Sequence, residues 1–185
     1  LKSCNDTLTS FIEYCTAAQN FTGETISILR VDNAPELMHG KMESYCKTVG
    51  ITYEKTIPDS PSQNGVAKRT NLTIASMAHA MLIDADLKDF FWPFATQAAV
   101  HIKNRVPHSS LPPDKTLFEF WHRYKLNLSH LHLFGVACTS RILSNSLTKF
   151  VPHGETGRFL GYAKDTKGFL IWIPGPNNHG GTVKA

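Results

Sequence analysis

The chain has 185 residues, of which 42% are hydrophobic and 10% aromatic; that is enough apolar material for one domain of ordinary size plus a small second one, and it excludes wholesale disorder. The formal charge of +4 divides unevenly: residues 1–60 carry five Lys/Arg against eight Asp/Glu, a balance of −3, and residues 61–185 carry fourteen against seven, a balance of +7. There is no initiator methionine, no charged-then-apolar leader, and no apolar run approaching the eighteen or so residues of a membrane span, so the chain reads as an internal, soluble, intracellular piece, nuclear or cytoplasmic, with no membrane partner.

Cys4, Cys15, Cys46 and Cys138 lie far apart with no C-x-x-C pair, and buried free thiols are expected rather than a zinc site or a disulfide framework. The nine histidines are equally scattered.

Asn5 and Asp6 can cap a helix through Ala18, in which Leu8, Phe11, Ile12 and Cys15 fall three and four apart and make one apolar face. Residues 26–31 are β-branched and largely apolar, as a strand buried in a sheet should be. Asp32 then stands at the strand's C-terminal end, where open α/β sheets place their ligands. Pro35 and Glu36 suit the first turn of a second helix, because a proline there loses no hydrogen bond and a glutamate meets the positive end of the dipole; Gly50 stops that helix. Residues 51–57 alternate and read as a strand, so the pattern is that of an α/β layer fold.

Two prolines and Asn64-Gly65 make residues 58–65 a loop. A helix is expected over 66–85, and on it Asn64, Lys68, Asn71 and Ala75 share one stripe. A further helix over 89–104 is rich in large apolar residues, Phe90, Phe91, Trp92 and Phe94 among them, which core or interface packing explains. Residues 106–115 form a Pro/Ser-rich linker, and Thr116 with Glu119 has the spacing of a capping box at a short helix. From His130 the texture changes to short apolar segments bounded by glycine, at 133–138, 157–162 and 168–174, which look like strands of a small β-barrel; residues 174–181 read as a frayed tail.

Two stretches carry more. Arg30-Val31-Asp32-Asn33 is followed by Pro58-Asp59-Ser60-Pro61-Ser62-Gln63-Asn64-Gly65-Val66-Ala67-Lys68-Arg69-Thr70-Asn71, and thirty-five residues separate Asp32 from Lys68. Together they resemble the later part of the integrase catalytic core of copia-type LTR retrotransposons, with its "R-S-D-N-G-x-E" and "Q-N-G-x-x-E-R-x-N". Further landmarks follow in the family's order: Met77-Ala78-His79-Ala80-Met81-Leu82, Phe91-Trp92, Asn104-Arg105-Val106-Pro107, Thr116-Leu117-Phe118-Glu119, Leu131-His132-Leu133-Phe134-Gly135 and Phe159-Leu160-Gly161-Tyr162.

The resemblance implies a partial ribonuclease-H-like, three-layer α/β core over residues 1–105, a helical connector over 106–129, and an incomplete SH3-like β-barrel domain over 130–185. It implies DNA integration by metal-dependent strand transfer as the parental activity, oligomerisation on DNA ends, and two Mg2+ or Mn2+ ions held by three carboxylates. Hard cations prefer oxygen ligands, and paired metals stabilise the attacking and leaving oxygens of phosphoryl transfer. Asp32 matches the second carboxylate and is a vestigial metal ligand. Lys68 stands where the family has its glutamate, and the first carboxylate lies upstream of Leu1. Lysine has three N–H donors and no lone pair, so it cannot coordinate the metal; no ion is expected to be bound here, and an ion pair with Asp32 is expected in the metal's place. Ala34-Pro35 after Asp32-Asn33 is a second departure.

A catalytically inactive piece of a Pol polyprotein is the leading reading, with a fossil product of no selected function as its bland form. One alternative is a module that binds DNA or RNA without catalysis, through Asn64, Lys68, Arg69, Asn71, Lys103 and Arg105. Another is an enzyme completed by a second chain. In either integrase-derived form the strand at 26–31 is expected to present an exposed edge, and the helices an uncovered apolar face.

Overall fold

Two compact units, Leu1–Thr70 and Asn71–Ala185, make up the chain, and the computed structural model describes residues 6–32, 40–56, 65–142, 153–164, 166–175 and 181–185.

In the first unit, helix α1 spans Asp6–Thr22 and buries Cys15 and Ala18. It runs a turn beyond the expected end at Ala18 and stops at Gly23, whose φ of 74° lies in the left-handed region that glycine enters without a Cβ clash. Strand β1, Ile28–Val31, pairs in parallel with β2, Thr52–Lys55, in the register Ile28↔Thr52 to Val31↔Lys55. Between them lies helix α2, Gly40–Val49. Its expected first turn at Pro35 and Glu36 is outside the described residues. A parallel pair needs such a crossover, because the chain must return to the same end before the second strand begins.

The core of this unit is Met42, Cys46 and Ile51, with Leu8, Phe11, Leu29 and Tyr53 packed against it. Full burial of side chains such as Met42 and Ile51 stabilises by about 1.5–3 kcal/mol each. Other apolar groups stay outside: Tyr14, Phe21 and Ile28 are each more than half exposed.

Helix α3, Gly65–Asp84, begins in the first unit and continues into the second, where it buries Ala78 and Leu82. The helix expected over 89–104 is divided. A 3-10 turn at Asp89–Phe91 leads into α4, Trp92–Lys103, which has Pro93 in its first turn. Pro93 has no N–H to return to Asp89, so the α-type ladder cannot extend back through it. The aromatic run is divided as well: Phe91 is buried, whereas Phe90 and Trp92 are exposed. Helix α5, Leu117–His122, carries the expected capping box. The Thr116 hydroxyl accepts from Glu119 N at 3.1 Å, and Glu119 Oε2 accepts from Thr116 N at 3.3 Å.

The chain then forms a four-stranded antiparallel sheet in the order β3-β4-β5-β6: β3 is Ala137–Arg141, β4 Gly154–Tyr162, β5 Phe169–Pro174 and β6 Gly181–Lys184. The frayed tail expected over 174–181 is corrected at both ends. Pro174 closes β5 and Gly181 opens β6, paired Pro174↔Gly181, because the backbone of β5 offers an edge that a short following segment can pair with. Residues 176–180 lie outside the described residues. Gly157 is required within β4, since a Cβ there would meet the Trp172 carbonyl oxygen at 2.6 Å.

In this second unit the helices and the sheet share one hydrophobic cluster. Leu82, Phe91, Ala95, Ala98 and Ala99 meet Phe134 and Leu160, with Trp172 packed alongside. Alanines on α4 let the helix approach the sheet closely, and Phe91 meets Trp172 edge to face at 5.0 Å. Among the described residues no helix is long and apolar enough to cross a membrane.

Candidate active site

Because β1 and β2 are parallel, the residues that follow them emerge at one end of the sheet. Thr56 N donates to Val31 O at 2.9 Å, which continues the pairing past the strands. Asp32 follows Val31 directly and is half-buried, and Thr56 is buried beside that end. The neighbouring cations are engaged elsewhere. Arg30 Nε and Nη2 donate to Glu54 Oε2 at 3.0 and 2.8 Å across the strand pair, and Lys55 Nζ lies 3.0 Å from Glu43 Oε2. The two lysines beside Glu43, Lys55 first and Lys47 second, hold its carboxyl below the usual carboxylate range through hydrogen bonds and charge.

Lys68 stands in the first turn of α3, exposed, with exposed Arg69 next to it and Asn71 one turn on. Asn64, on the same stripe, lies outside the described residues. Lys103 closes α4, where a cation meets the negative end of the helix dipole. Arg105 is placed differently from a solvent-facing phosphate contact: its guanidinium lies over the Phe118 ring at 4.3 Å, Nη1 donates to His101 O at 3.0 Å, and Nε is buried without a partner.

A two-metal centre needs several carboxylate oxygens directed at one point. Among the described residues no three His, Cys, Asp or Glu side chains gather to hold a metal ion. The donor set described at this end of the sheet does not fit such a centre. Of the thiols, Cys15 and Cys46 are buried and Cys138 is half-buried, all free, and burial pushes each of them up. Cys4 lies outside the described residues.

One constellation escaped the sequence reading. His101 on α4 stacks on Tyr162 of β4, with His130 edge-on to both rings. Only the helical phase of His101 hinted that it faces inward.

No protein-family model matches the chain. It is 32% identical over 177 residues to the retrovirus-related Pol polyprotein from transposon TNT 1-94 of Nicotiana tabacum, a match covering 94% of this chain. It is 26% identical over 175 residues, again 94% of the chain, to the retrovirus-related Pol polyprotein from transposon RE2 of Arabidopsis thaliana. The chain spans 13% and 12% of the lengths of these relatives. In fold it is similar to a chain of the cryo-EM structure of the simian T-cell lymphotropic virus intasome in complex with the PP2A regulatory subunit B56 gamma. There the TM-score is 0.51 and the identity 16%, with 96% of this chain and 60% of that one covered. The mixed α/β architecture is thus a partial ribonuclease-H-like integrase core followed by a small antiparallel sheet. With its Asp32 strand end and its landmarks in order, the chain is a homologue of a segment of the retrovirus-related Pol polyproteins of plant transposons, and the likeness is that of the integrase core of a copia-type element.

Proposed function

We propose that this chain is a segment of a retrotransposon integrase that does not itself catalyse strand transfer. The parental activity is DNA integration with Mg2+ or Mn2+, carried out by oligomers on DNA ends. The reading is supported by two residues: Asp32, which directly follows β1, and Lys68, which lies in the first turn of α3 and stands in sequence where the family has its glutamate. An ammonium at the glutamate's place opposes the metal by charge as well as lacking a lone pair, so Asp32 and Lys68 form an ion pair or a water-bridged contact instead. This argument stands whatever precedes Leu1 in a longer protein. On this reading the site holds no metal, and no step of strand transfer runs on these residues. In the same reading residues 1–105 are the core, 106–129 the connector and 130–185 the SH3-like domain.

The test is a strand-transfer and end-processing assay on retroelement-end DNA with Mg2+ or Mn2+. The chain is expected to yield no product, and Lys68→Glu alone is expected not to restore it, since one restored carboxylate leaves the pair of metals short of ligands. Product from the unmodified chain that disappears on Asp32→Asn overturns the reading.

A second reading is supported by the exposure of Lys68 and Arg69 on one turn of α3: a module that binds DNA or RNA through phosphate contacts, with affinity that falls as salt rises. Gel shifts across a salt series separate it from a fragment with no selected function.

A further inference from the structure

The connector carries a groove of about 900 Å³, bordered by the linker at Pro112–Lys115 and by α5 with the residues just after it. That is near the upper end of the range for ligand pockets, about 300–1,000 Å³. Two aromatic side chains of its lining face solvent, Phe120 at 68% and Tyr124 at 59% exposure. Three exposed cations share the lining: Lys115, Arg123 and Lys125.

Two acids are present, Asp114 and Glu119, but the Glu119 carboxylate is turned to backbone donors. Oε2 accepts from Thr116 N at 3.3 Å and Oε1 from Leu126 N at 3.1 Å. These bonds, that of Leu126 first, hold its carboxyl below the usual range. They also tie both ends of the 116–126 stretch to one side chain. Arg123 ends α5 in the left-handed region, φ 59°, with its N–H donating to Glu119 O at 2.9 Å. Tyr124 is held edge-on to Phe118, centroids 5.5 Å apart. The backbone that carries the rings and cations, and the Tyr124 ring itself, are therefore set before any ligand arrives, which lowers the ordering cost of binding.

We propose that this groove binds single-stranded nucleic acid, with Phe120 and Tyr124 as platforms for bases and Lys115, Arg123 and Lys125 as phosphate contacts. Aromatic faces interleaved with cations suit a polyanion whose every repeat carries a π-face, and each base stacked on an aromatic is a sequence-tolerant contact. The site goes beyond the strand-end reading and shares no residue with it.

The experiment is fluorescence anisotropy of the full chain with a labelled oligothymidylate of about twelve nucleotides, within the length one such surface engages, across a salt series. Phe120→Ala is expected to weaken binding about tenfold, and Phe120→Ala with Tyr124→Ala further. Lys115→Ala with Lys125→Ala should weaken binding and flatten the slope of log affinity against log salt by about 1.4. Lys88→Ala with Lys164→Ala, which removes two exposed charges outside the groove, should change affinity less than about twofold. Circular dichroism checks that each variant keeps its fold; Phe120 is exposed, so its removal leaves no cavity. Absence of binding by the unmodified chain, an unchanged affinity in Phe120→Ala, equal competition by polyglutamate, or tighter binding of a duplex of the same length would each overturn the proposal. Product in the strand-transfer assay would overturn the inactive reading and leave this site standing, so the two fail separately.

Discussion

The His101 imidazole of α4 lies stacked on the Tyr162 phenol of β4, ring centroids 3.9 Å apart and planes 14° from parallel. The contact joins helix to sheet inside the second unit and leaves His101 Nε2 buried without a hydrogen-bond partner. His130 meets the same ring edge-on from the loop before β3, and Arg105, just past the end of α4, donates Nη1 to the His101 carbonyl. Burial first, then the charges of Arg105 and His130, pushes the His101 imidazole down to about 4.

A histidine whose folded value lies below its unfolded one binds fewer protons when folded. Its contribution to stability is complete above about pH 6.5 and is lost as pH falls toward 4. The melting temperature should therefore fall over that window, and His101→Phe, which keeps a ring on Tyr162 without a titrating nitrogen, should flatten the fall. Thermal melts at half-unit pH steps check this; an equal slope in the variant counts against the assignment to His101.

Gly135 supports the same junction from the other side. Its φ is 76°, and a Cβ there would meet Ala85 Cβ at 2.2 Å. Its N–H donates to Phe159 O at 2.7 Å, and its carbonyl accepts from Arg158 Nη1 at 3.0 Å. Gly135→Ala should cost about 2–4 kcal/mol, from left-handed strain plus overpacking. Chemical denaturation of the variant against the parent measures it, with Gly40→Ala, in open space at the start of α2, as the comparison expected to change little.

Much of this was legible in residue order. The periodicity around Cys15 and Cys46 marks helices whose cysteines are indeed buried, and the β-branched run before Asp32 places that carboxylate at a strand end. Thr116 and Glu119 announce their capping box because the motif is local. What local pattern could not give is contact between distant segments. His101 meeting Tyr162 depends on how α4 packs on the sheet, and Gly135 meeting Ala85 on how the end of α3 meets the loop before β3. β6 was missed because Thr182-Val183-Lys184 is too short to show a period, and its place is fixed by pairing with β5 and by the Lys184–Glu155 ion pair. Arg105 looks like a surface cation in sequence, and only the Phe118 ring beneath it reveals a packing role.

Thr116→Ala should cost about 1 kcal/mol by removing the cap of a six-residue helix. It should also weaken oligothymidylate binding, because Glu119 N would lose the Thr116 hydroxyl as its acceptor at the start of the helix that borders the groove. A variant that loses stability while binding the oligonucleotide as tightly as the parent would separate the two effects and refute their coupling.

Tyr14, Phe21 and Ile28 leave a substantial apolar surface on the first unit, and surface of that kind promotes association. Light scattering during size exclusion should show mass rising with concentration. Phe21→Glu with Ile28→Lys should shift the chain toward monomer; a concentration-independent monomer for the parent contradicts this.

Binding of Mn2+ followed by electron paramagnetic resonance tests the inactive-site account most directly, because it reads the donor set without requiring DNA or turnover. With Lys68 at the glutamate's position, the parent chain should leave the free Mn2+ signal undiminished at sub-millimolar metal, and Lys68→Glu should gain weak binding that Asp32→Asn removes. Stoichiometric binding by the parent chain that is lost on Asp32→Asn would contradict the account.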